Sequence, residues 1–176
     1  MPENQGQPRE LRLRVVVMGG ASEVFVNALG LTANEMRLGV VHDFEASLLF
    51  ETFPVDPWSG DGHAGAELEQ AAHKVDALVL TDALTEGTHY SSSALERLLR
   101  ALQPARVGVP TVVFGGPALA MEWQSLTGVV PALVSDPTPE NAVPVARAIA
   151  KAALRALRKS EPPPSVRRSE PPPSIR

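Results

Sequence analysis

The spacing of apolar residues changes repeatedly along the chain, and the changes predict strands alternating with helices. Leu11 to Met18 ("LRLRVVVM") begin as an alternation of apolar and basic residues and end as a continuous apolar run. This pattern is typical of a strand that enters a sheet covered on both faces. Ala77 to Thr81 and Thr111 to Phe114 are two further buried runs. We therefore expect a mainly parallel sheet with helices on both faces.

The segments between these runs predict helices and one hairpin. Two strand patterns, Arg37 to His42 and Ser47 to Pro54, are close enough in the chain to pair as an antiparallel hairpin. Helices are expected after the first strand, with Ser22 as N-cap, and before the end of the chain, with Thr138 as N-cap. Three more helices and one short strand complete the pattern: Ala64 to Lys74, a helix from Ser93 to near Gln103, Ala118 to Leu126, and the strand Ala132 to Val134. The prediction is a three-layer α/β domain, Ras-like or Rossmann-like, whose mainly parallel six-stranded sheet contains one antiparallel strand.

Composition divides the chain into a domain and two tails. Residues 1–9 are polar, contain two prolines and are predicted to be a flexible arm, and residues 10–158 form the α/β domain. Residues 159–176 are predicted to be a disordered, proline-rich tail with a near-exact repeat, "SEPPPSVR" and "SEPPPSIR". Triple prolines favour an extended chain, which suits either a spacer or a ligand for a protein partner.

Charge and residue usage exclude several classes of function. The chain has 16 basic and 20 acidic residues, so its net charge of −4 gives no indication of nucleic-acid binding. Cysteine is absent, which excludes disulfides, thiolate zinc sites and a thiol nucleophile. No window approaches the roughly 18 uncharged apolar residues of a membrane span. We therefore predict a cytoplasmic protein.

One glycine turn raises the question of phosphate binding. The stretch "VVVMGGASEVFVNALG", residues 15–30, follows the first strand, where nucleotide-binding proteins carry a phosphate loop. From about Leu11 to Leu157 the chain resembles the Ras-like small GTPases. The segment "DFEASLLFETFPVD" is similar to the strand after the first switch in bacterial cell-polarity and gliding GTPases.

The resemblance implies a phosphate loop of the form G-x-x-x-x-G-K-[ST], and the match to that motif is incomplete. Gly19 takes the first glycine, but apolar residues, predicted to be buried, replace the final glycine, the lysine and the magnesium-binding hydroxyl. These residues are Val24, Phe25 and Val26. What remains is a degenerate phosphate loop of Gly19, Gly20 and Ser22.

The other nucleotide motifs of that family are also incomplete. "DPWSG" places a glycine four residues after Asp56, and "FGGPA", residues 114–118, has no carboxylate for a guanine base. The resemblance thus implies a bacterial pseudo-GTPase that acts as a protein-interaction and regulatory signalling module, binds GTP or GDP weakly or not at all, and is not an enzyme. It implies no catalytic residue, no metal site and no cofactor. Protein partners would contact its switch-like loops, with Trp58 as an anchor, and the proline-rich tail.

A second resemblance leaves a different function open. One buried strand ends in Thr81 and a later one ends in Gly115 and Gly116, which resembles the pattern of the cobalamin-binding Rossmann-like domain. Asp82 and Glu86 come after the strand that ends in Thr81 and are expected at the carboxyl edge of the sheet, where open α/β sheets bind ligands. The alternative function is therefore a domain that binds a small ligand, cobalamin-like or a nucleotide, at this edge.

Overall fold

The fold alternates strands and helices around one sheet. The computed structural model describes residues 9–31, 33–41, 44–53, 57–58, 61–81, 92–102, 109–114, 117–134, 138, 140 and 142–160. The strands are β1 (Arg9–Met18), β2 (Glu35–Val41), β3 (Phe44–Phe53), β4 (Ala77–Thr81), β5 (Thr111–Phe114) and β6 (Ala132–Val134). The helices are α1 (Ser22–Ala28), α2 (His63–Ala72), α3 (Ser92–Leu102), α4 (Pro117–Thr127) and α5 (Ala142–Ser160).

The strands pair in the order β2-β3-β1-β4-β5-β6. The β2–β3 pair is antiparallel and all other neighbours are parallel. β1 pairs with β3 from Arg9 to Met18, and its second half pairs with β4 on the other side. The prediction of an α/β fold with a mostly parallel sheet and one antiparallel hairpin is confirmed.

Several element boundaries differ from those predicted. The hairpin strands begin earlier, at Glu35 and Phe44, and the register of β2 shifts between Arg37 and Gly39, where Gly39 has a positive φ of 68°. α5 begins at Ala142, so Thr138 is not its N-cap. A hydrogen bond from the Thr138 side chain instead holds the pKa of Glu140 below its usual value.

The domain also extends slightly beyond its predicted limits. β1 includes Arg9, which was predicted to belong to the arm, and α5 continues to Ser160. The remaining arm and tail, residues 1–8 and 161–176, lie outside the described residues. No helix in the described part of the chain has the length and apolarity needed to cross a membrane.

The core consists of one cluster on each face of the sheet. Because successive side chains of a strand point to opposite faces, Val15 and Val17 of β1 pack with α1 and α5, while Val16 and Met18 pack with α2, α3 and α4. Burial on both faces explains the continuous apolar run at the end of β1. The first half of β1 is more exposed, and there Arg12 contacts Glu35 of β2 at 3.0 Å.

Candidate functional site at the carboxyl edge of the sheet

The chain changes direction across the sheet between β1 and β4, which are parallel neighbours. After β1 it enters α1, whose Phe25 packs on one face, and α1 leads to β2 and β3 on one side of β1. After β4 it leads to α3, whose Leu98 packs on the opposite face, and then to β5 on the other side. At such a reversal, open α/β sheets bind ligands outside the carboxyl ends of the strands. We call this expected binding position, between Gly19 to Ser22 and Thr81, the β1–β4 crevice; of these residues only Gly20 is exposed.

The glycine turn beside this crevice is held by its own main-chain hydrogen bonds. The Gly19 N–H donates to the Phe53 carbonyl at 2.9 Å, and the Ser22 N–H donates to the Gly19 carbonyl at 3.0 Å. Gly19 is buried with a φ of 130°, a conformation that favours glycine, whereas Gly20 is exposed. Two of the amides that a phosphate loop would direct at a phosphate are therefore already donated within the chain.

Ser22 does not cap α1. The N-cap residue is Ala21, which makes no side-chain hydrogen bond to the helix, and Ser22 is the first helical residue, 5% exposed. α1 is only seven residues long, and the prediction that Val24 is buried beside Phe25 and Val26 is wrong for Val24, which is 43% exposed. Phe25 holds the helix against the sheet. The centroid of its ring lies 6.5 Å from that of Phe50 and 5.4 Å from that of Phe114.

Thr81 connects the ends of the two strands that border the crevice. It is the last residue of β4, is fully buried, and its hydroxyl donates to the Met18 carbonyl of β1 at 3.1 Å. A buried hydroxyl must find a partner of this kind because leaving it unpaired is costly. Its bond holds the two strand ends together at the base of the crevice. Thr81 was identified from the sequence as a small hydroxyl residue at the end of a buried strand, and the structure places it beside the glycine turn.

Four more residues were predicted for this edge, and all of them lie outside the described residues: Asp82, Glu86, Gly115 and Gly116. In the chain they follow β4, which ends at Thr81, and β5, which ends at Phe114. Among the described residues at the crevice, 19–22 and 81, there is no lysine or arginine. In the described part of the chain as a whole, no three His, Asp or Glu side chains come together as a metal site.

Trp58 lies away from the crevice, against α2 and α3. Its indole N–H donates to Glu69 of α2 at 3.0 Å, and the guanidinium of Arg97 of α3 lies over its ring, 4.8 Å from the centroid. The ring also covers Gly65, where an added Cβ atom would overlap the Cδ1 atom of Trp58. Trp58 thus joins the segment after β3 to both helices, and its contact with a protein partner stays a prediction.

Gly65→Ala is expected to lower the free energy of unfolding, although the same substitution within a helix usually raises it. Alanine normally stabilises a helix by up to about 1 kcal/mol relative to glycine. Here its methyl group would overlap the indole ring of Trp58, and overpacking of this kind costs roughly 1–3 kcal/mol. Urea unfolding, followed by circular dichroism, measures the change.

The same substitution in a Trp58→Ala background provides the control. Without the indole, Gly65→Ala should stabilise the protein, because only helix propensity then remains. If Gly65→Ala stabilises both backgrounds equally, the indole does not lie where the structure places it.

Sequence reasoning missed a polar groove of about 450 Å³ between β3 and α2. Arg14 and Glu51 form an ion pair there, and Glu67 and Lys74 of the α2 region also line the groove. The Arg14 main chain is fixed as well, since its N–H donates to the Asp76 carboxylate at 3.0 Å. The signal for this groove in the sequence was the alternation of basic and apolar residues at the start of β1. That alternation indicates only that one face of the sheet is polar there. The ion pair neutralises the charges that Arg14 and Glu51 bring to the groove, whereas Glu67 and Lys74 form no ion pair with another described residue.

Two solved structures that match the chain are distant from it in sequence. No protein-family model matches the chain, and no curated protein matches it. A diflavin flavoprotein A3 from Nostoc sp. is 11% identical, with 86% of this chain and 99% of that chain covered and a TM-score of 0.41. A flavodoxin-like domain from Synechococcus sp. is 18% identical, with 83% and 99% covered and a TM-score of 0.42. Likeness at this level carries no conclusion about a ligand or an activity.

The predicted relationship to Ras-like small GTPases is nevertheless contradicted, because these matches are a flavoprotein and a flavodoxin-like domain. The interpretation as a pseudo-GTPase signalling module falls with that relationship. The error has a physical origin. Alternation of buried strands with helices is common to many α/β folds, and the residues that mark a GTPase, the phosphate-loop lysine and the base-binding carboxylate, are missing from the sequence.

Proposed function

We propose that this chain is a ligand-binding α/β domain that holds a small organic molecule in the β1–β4 crevice. The observation that supports this most directly is the reversal of the chain between β1 and β4, with α1 and α3 leaving to opposite faces of the sheet. The residues at the two strand ends are small, and the exposed one, Gly20, is where a ligand would approach the main chain. They are Gly19, Gly20 and Thr81.

The lack of positive charge among the described crevice residues limits the class of ligand that fits there. A nucleoside triphosphate carries several negative charges, which proteins neutralise with lysine, arginine or magnesium. The described crevice residues provide none of these cations, and the Gly19 and Ser22 amides are already used in the turn. A ring-containing ligand with at most one phosphate therefore fits better than a triphosphate. A cobalamin-like ligand belongs to the same proposal because it too needs no cationic loop.

A thermal-shift screen tests the proposal. The probes are FMN, riboflavin, GDP, GTP and cobalamin, each with and without magnesium; FMN and riboflavin are included because the structural matches include a flavoprotein. A ligand present at a hundred times its Kd stabilises the folded state by about 2.7 kcal/mol, which is a readily measured rise in Tm. We expect a rise with at least one ligand of low charge and a smaller one with GTP. A screen in which no probe raises the Tm, or in which only GTP with magnesium does so, contradicts the proposal.

A further inference from the structure

Positive charge is concentrated at the end of the chain. Residues 142–176 contain eight basic and two acidic residues, whereas residues 1–141 contain eight basic and eighteen acidic ones. α5 alone, residues 142–160, has five basic residues and no acidic one. The overall charge of −4 conceals this asymmetry, which is a reason to look for an anionic partner at α5.

The described cations of α5 lie on one face of the helix. Arg147, Lys151 and Arg155 follow one another at intervals of four residues and are exposed. Residues at this spacing lie along one side of a helix. The opposite side, with Ile149 and Ala153, is buried against the sheet. Within the residues that the structure describes, none of the three cations forms an ion pair.

The surface beside the row of cations is small and apolar. Ala148 and Ala152 flank the row along one edge, and Val143 at the start of the helix is 46% exposed. Alanine offers neither hydrogen bonds for reading bases nor rings for stacking on them, which nucleic-acid interfaces use. It is also depleted in protein interfaces relative to aromatic residues. A plane of lipid headgroups needs only the row of positive charges and a surface without obstruction.

We propose that α5 attaches the domain to anionic phospholipid surfaces through the face formed by Arg147, Lys151 and Arg155. The buried side of α5 stays in the core, so the helix lies on the headgroups without entering the bilayer. Each cation near an anionic bilayer strengthens binding by about fivefold, so three together contribute roughly a hundredfold. Screening by salt must then weaken the attachment. This surface lies on α5 and does not depend on a ligand in the β1–β4 crevice.

Sedimentation of the full chain with vesicles tests the proposal. We expect the protein to bind vesicles of phosphatidylcholine with phosphatidylserine at low salt, to be released at high salt, and to ignore vesicles of phosphatidylcholine alone. The triple variant Arg147→Gln, Lys151→Gln, Arg155→Gln should lose roughly a hundredfold in affinity. Because all three side chains are exposed, its thermal unfolding should match that of the wild type, which shows that it is folded.

A matched triple variant distinguishes an effect of the α5 face from an effect of net charge alone. Arg9→Gln, Arg37→Gln, Lys74→Gln removes the same charge from exposed residues in other elements and should keep most of the vesicle binding. Equal losses in both triple variants, or wild-type binding that does not depend on phosphatidylserine, would overturn the proposal. So would duplex DNA or an acidic polypeptide that displaces the protein from the vesicles and binds α5 more tightly than the vesicles do.

Discussion

Phe25→Ala is expected to lower the free energy of unfolding by about 3–5 kcal/mol, the range for removing a buried aromatic side chain. Phe25 is fully buried and its ring packs against those of Phe50 on β3 and Phe114 on β5. These contacts hold a helix of only seven residues, too short to be stable by itself, against the sheet. Urea unfolding followed by circular dichroism gives the change, provided that the denaturant slope stays constant.

Val24→Ala is the matched control for this prediction. Val24 precedes Phe25 on the same short helix but is 43% exposed, so its truncation should change stability by no more than about 0.5 kcal/mol. Alanine has a higher helix propensity than either residue, so the difference between the variants reports packing. If Val24→Ala costs as much as Phe25→Ala, then α1 does not present the face that the structure assigns to it.

Gly20→Trp is expected to abolish ligand binding, with a loss of at least about a hundredfold, or roughly 2.8 kcal/mol. Gly20 is exposed at the β1–β4 crevice, and its φ is not positive, so a side chain there meets no backbone restriction of that kind. An indole ring would fill the space that the ligand needs. Isothermal titration with the probe that gives the largest thermal shift measures the loss.

Gln124→Trp tests whether a surface tryptophan alone causes the effect. Gln124 is exposed on α4, beyond the crevice, and its replacement should leave the ligand Kd within about twofold of the wild type. Binding that survives Gly20→Trp, or that is lost equally in both variants, argues against a ligand in the crevice.

The parts of the fold that depend on burial on both faces were predictable from the sequence. The apolar runs of β1, β4 and β5 identified the central strands because a strand covered on both sides has few polar residues. The hairpin was recognised, but its strands begin at Glu35 and Phe44, earlier than predicted. One face of that hairpin is partly exposed and carries charged residues, so hydrophobic periodicity does not mark where pairing starts.

The features that depend on distant contacts were not predictable. Trp58 was assigned to a loop, yet its surroundings come from Gly65 and Glu69 on α2 and from Arg97 on α3. Thr81 was recognised by residue type, but its bond to the Met18 carbonyl requires the pairing of β4 with β1. The basic face of α5 was missed because a net charge describes the whole chain, whereas a surface depends on which charges share a helix face.

The most direct measurement of the central claim is an amide chemical-shift titration of the isotope-labelled chain with the probe of low charge that gives the largest thermal shift. If the β1–β4 crevice is the ligand site, the probe that raises the Tm will produce its largest shifts at Gly19, Gly20, Ser22 and Thr81, and these shifts will disappear in Gly20→Trp. Largest shifts elsewhere, such as in the groove near Arg14 and Lys74, or no shift at the crevice with that probe, would contradict the account.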